Sequence, residues 1–251
     1  MQNYFLRVRY NGRQYAGFQI QENAITIQGE VEKALLVYFR QSIQLTGSSR
    51  TDAGVHARCN YFHFQSDLPQ VEAGVYNLNA ILPSSISIEG IFKVPSDAHS
   101  RFSAVARCYS YHVYSRKNPF LEGISWHYPY PLDINAMNQA ASLFKGTHDF
   151  TSFSKKHTQV FTNDCSITDA DWIVEGEELV FRVKGNRFLR GMVRALVGTM
   201  VKVGRGKLSV QEVKEILQAK DNTLADFSAP AHGLFLEEVI FPAEVESLLR
   251  G

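Results

Sequence analysis

At 251 residues, with 45% hydrophobic and 20% charged residues, the chain has an ordinary globular composition and enough length for one large or two smaller cores. No run approaches the roughly 20 consecutive apolar residues of a membrane helix. The opening Met1-Gln2-Asn3-Tyr4 lacks the charged and apolar regions of a secretory signal, so a cytoplasmic protein is expected. The three cysteines, Cys59, Cys108 and Cys165, are odd in number and far apart without a Cys-x-x-Cys pair, which points to free thiols and argues against a disulfide framework or a metal site.

In chain order, Tyr4 to Tyr10 has strand character. Ile27, Val31, Ala34, Leu35 and Tyr38 then recur at helical spacing after Thr26, an expected N-cap. Ser42 to Gly47 and Cys59 to Phe64 read as strands, Val71 to Leu82 as a helix ended by Pro83, and Ile86 to Val94 as a strand. Strand, helix, strand, strand, helix, strand is the split βαβ pattern of RRM or ferredoxin-like folds.

A second half follows a loop around Pro95 to Phe102. It holds a strand Val105 to Ser115, a helix Asp133 to Phe144, and strands near Asp169 to Glu175 and Leu179 to Lys184. Helices from about Phe188 to Val203 and Ser209 to Gln218 precede a closing strand Gly233 to Phe241. The expected fold is α+β: two related split-βαβ halves, residues 1–103 and 104–251, with a joined mixed or antiparallel sheet and a catalytic cleft between them.

The net charge of +1 is uninformative, but its distribution is not. From Arg182 to Lys207 there are eight Lys or Arg and no acid, whereas from Leu208 onward eight acids face three Lys or Arg. Ala98 to Leu121 is also free of acids and interleaves Arg101, Arg107, Arg116 and Lys117 with Phe102, Tyr109, Tyr111, Tyr114 and Phe120. Cations neutralise phosphates and aromatic faces stack on unpaired bases, so an RNA partner is one reading. Core aromatics beside a solvated basic helix face are the other.

Asp52 is the only acid between positions 41 and 66, in the segment Ser48-Ser49-Arg50-Thr51-Asp52-Ala53-Gly54-Val55-His56. Taken alone, Asp followed by Ala-Gly is ordinary turn chemistry. Three segments gain meaning together: Arg50 to His56; Arg101-Phe102-Ser103-Ala104-Val105-Ala106-Arg107-Cys108-Tyr109-Ser110-Tyr111; and Asn186-Arg187-Phe188-Leu189-Arg190-Gly191-Met192-Val193-Arg194-Ala195-Leu196-Val197-Gly198. In the last, an apolar stripe is expected to carry Arg190 and Arg194 together on its edge.

With Tyr10-Asn11-Gly12, Tyr15 to Gln19, Gly146 to Phe153 and Gly233 to Leu236, these segments make the chain resemble the tRNA pseudouridine synthase A (TruA) family from Tyr4 to Phe241. The resemblance implies isomerisation of uridine to pseudouridine at tRNA positions 38, 39 and 40. It implies Asp52 as the catalytic carboxylate, Tyr109 as the aromatic against the target base, and Arg194 as the cation paired with Asp52. Arg50 is implied near the flipped nucleotide, Leu234 at the pocket wall, and a homodimer with tRNA spanning both subunits. Ser49, Phe18 and Ala195 depart from the usual family residues Gly, Trp and Asn.

The reaction breaks the C1′–N1 bond, turns the uracil and reattaches it through C5. It needs no metal, redox step or cofactor, and the base must first leave its stack. Asp52 could attack as a nucleophile or take the C2′ proton to give a glycal. Arg58, Arg107, Arg187, Arg190, Lys155 and Lys156 are further candidates for RNA contact. His56 and His63 are more readily explained by local hydrogen bonds, and Asp149 beside His148 is only a nominal dyad. The alternatives are a non-catalytic RNA-binding protein or RNA chaperone on the same frame, and a nucleoside hydrolase, which usually needs two carboxylates.

Overall fold

A computed structural model describes residues 1–156 and 161–250. Its regular elements are β1 (Gln2–Tyr10), α1 (Ile27–Phe39), β2 (Thr46–Gly47), β3 (His56–Ser66), α2 (Val75–Ile81), β4 (Ile86–Val94), β5 (Ala106–Tyr114), β6 (Trp126–His127), α3 (Ile134–Ser142), β7 (Gly146–Asp149), β8 (Asp164–Glu175), β9 (Glu178–Gly185), α4 (Met192–Gly204), α5 (Val210–Ala219), β10 (Leu234–Ile240) and α6 (Ala243–Leu248). The α+β class is as the sequence suggests. No helix among the described residues is long and apolar enough to cross a membrane.

The chain divides into two compact units, residues 1–106 with 236–251, and residues 107–235. In the first, β1 lies between β4 and β3, antiparallel to both. Because β1 runs along one edge of β3, β2 and β10 share the other. The order β4-β1-β3-β2 is that of a split βαβ unit, but β2 keeps only two residues. The expected strand from Ser42 is absent because the Leu45 backbone is held by α1: its N–H donates to Glu32 Oε1 at 2.9 Å and its carbonyl accepts from Gln28 Nε2 at 2.8 Å. Thr26 caps α1 by accepting from the Gly29 N–H, and Ile27, Val31, Ala34 and Leu35 are its buried stripe. Phe5, Tyr61 and Phe241 form a ring cluster with centroids 5.1 to 6.1 Å apart. The α6 helix, which packs on β4, gives too short a periodic signal to be read in advance.

The second unit is built on β5, β9, β8 and β7 in that order, all antiparallel, with β6 parallel to β5. Asn138 of α3 fastens that helix to the sheet, accepting from the Trp172 N–H at 2.8 Å and donating to its carbonyl at 3.0 Å. The Trp172 ring lies 5.1 Å from that of Phe181, and its indole N–H reaches Met200 Sδ on α4. α4 passes close to its neighbours where side chains are missing: a Cβ on Gly198 would stand 2.3 Å from the Asp226 carbonyl oxygen. α5 opens on a full capping box, Ser209 with Glu212.

Two helix starts differ from the periodicity: Val71–Gly74 forms a 3-10 turn ahead of α2, and α4 starts late. The apolar pattern points to about Phe188, but Gly191 has φ +74° and α4 begins at Met192. Arg190 therefore precedes the helix and does not share a helical face with Arg194.

In the first unit, His63 Nδ1 lies 2.9 Å from Ser100 Oγ. Burial, reinforced by neighbouring His99, pushes the His63 pKa down to about 4. Between its ordinary value near 6.5 and that lower one, the unfolded chain takes up a proton that the folded protein refuses. The stability this provides is complete above about pH 6.5 and is lost as pH falls toward 4. Urea unfolding midpoints at pH 7 and 4.5 should therefore differ, and the difference should shrink in His63→Gln.

Candidate active site

The Asp52 loop is anchored from two strands. Asn60 of β3 is wholly buried, and its Nδ2 donates to the Ser49 carbonyl at 2.9 Å and to Tyr10 Oη at 3.2 Å. Its Oδ1 accepts from the Tyr61 N–H. Tyr10, the last residue of β1, is hydrogen bonded in turn to Thr51 Oγ1 at 2.8 Å, so the residue immediately before Asp52 is tied to both strands.

The segment after β1 completes the support. The Phe18 N–H donates to the Thr51 carbonyl, and the Gly54 N–H donates to the Tyr15 carbonyl. A Cβ on Gly12 would sit 1.9 Å from the Val55 carbonyl oxygen, which is why the backbone can approach there only without a side chain. Gly17, at φ +111°, lies against Thr51, Asp52 and Ala53. The Val55 N–H closes a turn onto the Asp52 carbonyl. Asp52 is thus a half-buried carboxylate on a fixed backbone, with Arg50 exposed two residues before it.

His56 does serve a local bond, its Nδ1 accepting from the Gly12 N–H at 3.1 Å. Phe18 is 1% exposed and stacks on Phe62 with centroids 4.5 Å apart and planes 11° apart, so this departure from the family residue is part of the core. Ser49 is 7% exposed, and its hydroxyl has no hydrogen-bond partner among the described residues.

In the second unit, Tyr109 on β5 is half buried and meets Phe188 edge to face at 5.0 Å. Arg194, in the first turn of α4, is half buried and its Nε donates to the Ala229 carbonyl at 2.7 Å. The next residue, Pro230, accepts from the wholly buried Tyr111 hydroxyl at 2.8 Å. Burial pushes the Tyr111 pKa up, against the pull of the Arg194 charge. A Cβ on Gly233 would strike the Tyr111 ring at 2.7 Å, and Leu234 follows, buried, at the start of β10. Residues 229–234 are thereby laid close against β5 and α4. Ala195 is fully buried, so the Asn usual in the family would here meet the core.

The remaining basic candidates divide by their surroundings. Arg58 is paired with Glu237 at 3.2 Å, and Arg107 Nη1 donates to the Asn186 carbonyl at 3.0 Å. Arg187 is half buried and Arg190 exposed, the Arg190 carbonyl accepting from the Lys155 N–H. Lys155 packs its stem where a Gly191 Cβ would be, and Lys156 is exposed. The acid-free run Arg182 to Lys207 borrows acids from elsewhere: Arg182 pairs with Glu175, and Lys202 with Asp226 at 3.1 Å. Of the aromatics in Ala98 to Leu121, Tyr111 and Tyr114 belong to the core, while Phe102 and Phe120 are exposed. Asp149 is bound to Lys220 and Thr151. Burial raises its pKa, but those partners outweigh it and hold the carboxyl below its usual range. His148 instead bonds the Lys145 carbonyl, so the pair is no dyad.

Residues 140–242 match a protein-family model described as tRNA pseudouridine synthase. A "tRNA pseudouridine synthase A" of Parabacteroides distasonis is 42% identical over 98% of both chains. Proteins of the same name from Porphyromonas gingivalis and Bacteroides fragilis are each 43% identical over 98% of this chain, covering 99% and 98% of their own. The chain belongs to the tRNA pseudouridine synthase A family.

Within that family frame, Asn60 and Tyr10 are the supporting residues that sequence reasoning passed over. The signal for Asn60 in the sequence was a polar amide directly before the rings of Tyr61 and Phe62. Asn60→Ala should lower stability by about 1–3 kcal/mol, because it strands buried backbone groups, and should lower turnover further by releasing the loop. Ser49→Ala removes a buried hydroxyl that bonds nothing among the described residues, so its urea midpoint should equal or exceed that of the parent protein with turnover retained.

Proposed function

We propose that the protein isomerises uridine to pseudouridine in the anticodon stem and loop of tRNA, at positions 38, 39 and 40, as a cytoplasmic homodimer. The observation that carries this reading is the near-complete correspondence with proteins named tRNA pseudouridine synthase A: 98% of this chain against 98% of theirs. The fixed Asp52 loop and the half-buried Tyr109 and Arg194 give the reading a chemistry.

In that chemistry the carboxylate of Asp52 assists departure of uracil from C1′, by attack or by taking the C2′ proton. The freed base turns and C5 bonds to C1′ as the Asp52–C1′ bond breaks or the C2′ proton returns from Asp52; the C5 proton then leaves and N1 is protonated, so substrate, product and carboxylate all balance. Arg194 supplies a guanidinium suited to pairing with a carboxylate, its planar fork serving better than an ammonium. Tyr109 offers the uracil a ring face. Arg50 engages the flipped nucleotide, Leu234 forms apolar wall, and Arg58, Arg107, Arg187 and Arg190 approach phosphates. No step requires an external oxidant, reductant or energy source.

Tritium release from tRNA labelled at uridine C5 tests the proposal. The parent protein should release tritium, and Asp52→Asn should lose activity by several orders of magnitude while still binding tRNA. Binding without release by the parent would favour an RNA chaperone instead. Tyr109→Phe keeps the ring and loses the hydroxyl: near-parental release would mean that the ring face is what matters, whereas collapse of release would assign the hydroxyl to proton transfer. Arg194→Lys should fall well below the parent in kcat, with Arg194→Ala lower still.

A further inference from the structure

The turn Ala98 to Ser103, which the chemistry above does not use, presents an aromatic ring to solvent in a way that its own bonding enforces. Phe102 is 75% exposed. Such exposure in a slack loop would mean little, but this loop is tightly bonded. The Arg101 and Phe102 N–H groups both donate to His99 Nδ1, at 3.1 and 3.3 Å. The His99 N–H donates to Ser103 Oγ and the Ser103 N–H to the His99 carbonyl, each at 2.9 Å. Ser100, wholly buried, fastens the turn to the body of the unit, its hydroxyl donating to the Thr46 carbonyl at 3.1 Å.

A file of rings leads outward through this turn. His63 and His99 lie 4.2 Å apart between centroids, and His99 and Phe102 lie 4.4 Å apart. His63 in turn neighbours the buried Phe5 at 6.3 Å. The Arg101 guanidinium stands 5.5 Å from the Phe102 centroid. Burial pushes the pKa of both imidazoles down, so near neutral pH the cation of this group is Arg101. The whole stretch Ala98 to Leu121 contains no acid.

We propose that the Arg101-Phe102 turn is a preorganised stacking platform, on which an unpaired base of the substrate tRNA lies against Phe102 while Arg101 engages the adjoining backbone. The inference rests on the tRNA reading above and deepens it. A rigid aromatic face beside a cation, in an acid-free stretch, matches a base joined to a phosphate better than it matches another protein's apolar surface. Because the ring is held out before binding, stacking costs little ordering of the protein.

The test uses Phe102→Ala, Phe102→Leu and Phe102→Trp in the full-length protein, with tRNA affinity by filter binding and turnover by tritium release. The Ala and Leu variants should raise Kd and KM about tenfold or more, with turnover at saturating tRNA nearly unchanged, and Trp should restore both constants. Added Trp fluorescence at position 102 should be quenched by tRNA. Parental affinity in Phe102→Ala, or full rescue by Leu, overturns stacking. Conversion of a dimer to monomer by Phe102→Ala, seen in sedimentation, overturns it in favour of a protein contact. The binding arm does not depend on catalysis: a parent that binds tRNA through Phe102 but releases no tritium defeats the functional reading and leaves the platform standing.

Discussion

A buried amide governs how the first unit presents Asp52. Asn60 sits in the middle of β3 with no exposure, where an unpaired amide would cost about 1–3 kcal/mol, and it is satisfied by the Ser49 carbonyl, Tyr10 Oη and the Tyr61 N–H. That satisfaction works only while β1, β3 and the loop between β2 and β3 keep their positions. The requirement runs in both directions: the sheet holds the loop, and displacement of the loop would orphan groups inside the sheet. A carboxylate on such a support keeps its place without a ligand present, as the proposed catalysis requires.

The second unit uses the same device with other residues. Tyr111 is too buried to ionise readily or to remain without a partner, and the Pro230 carbonyl provides one. The adjacent Ala229 carbonyl receives Arg194 Nε, so one short segment satisfies a core hydroxyl and orients a guanidinium. Gly233 lets that segment lie against the Tyr111 ring, and Leu234 follows at once as the first residue of β10. One donor of Arg194 is thus committed to positioning, while the charge stays on a half-buried group able to act on an anion.

Local pattern revealed those parts of the fold that local energetics decide. Thr26 caps α1 with its own side chain, Ser209 and Glu212 cap α5 reciprocally, and the apolar stripe after Thr26 is the buried face. Ser42 to Leu45 misled because nothing in its composition tells that Gln28 and Glu32, more than ten residues earlier, take the Leu45 backbone groups. The start of α4 misled because Met192-centred periodicity extends backward past Gly191, whose positive φ stops the helix. The candidate site was legible through family resemblance more than through composition. Asn60 acquires its role from Tyr10, fifty residues away, a distance no local pattern spans.

The charge pattern shows why composition alone said so little about an RNA partner. Net charge is +1, and the basic run of the second unit is partly neutralised by Glu175 and Asp226, which lie outside that run. Arg58 of the first unit is likewise opposed by Glu237. What distinguishes Arg194 from these cations is placement. It stands in the first turn of a helix that has no acid there and no side-chain cap, at the end where the backbone dipole already disfavours positive charge. A structural cation would be better placed at the opposite end, as Lys202 is. An arginine held against the dipole by the Ala229 carbonyl is therefore poorly explained by helix stability, and well explained by a need for positive charge where a carboxylate or phosphate must be met.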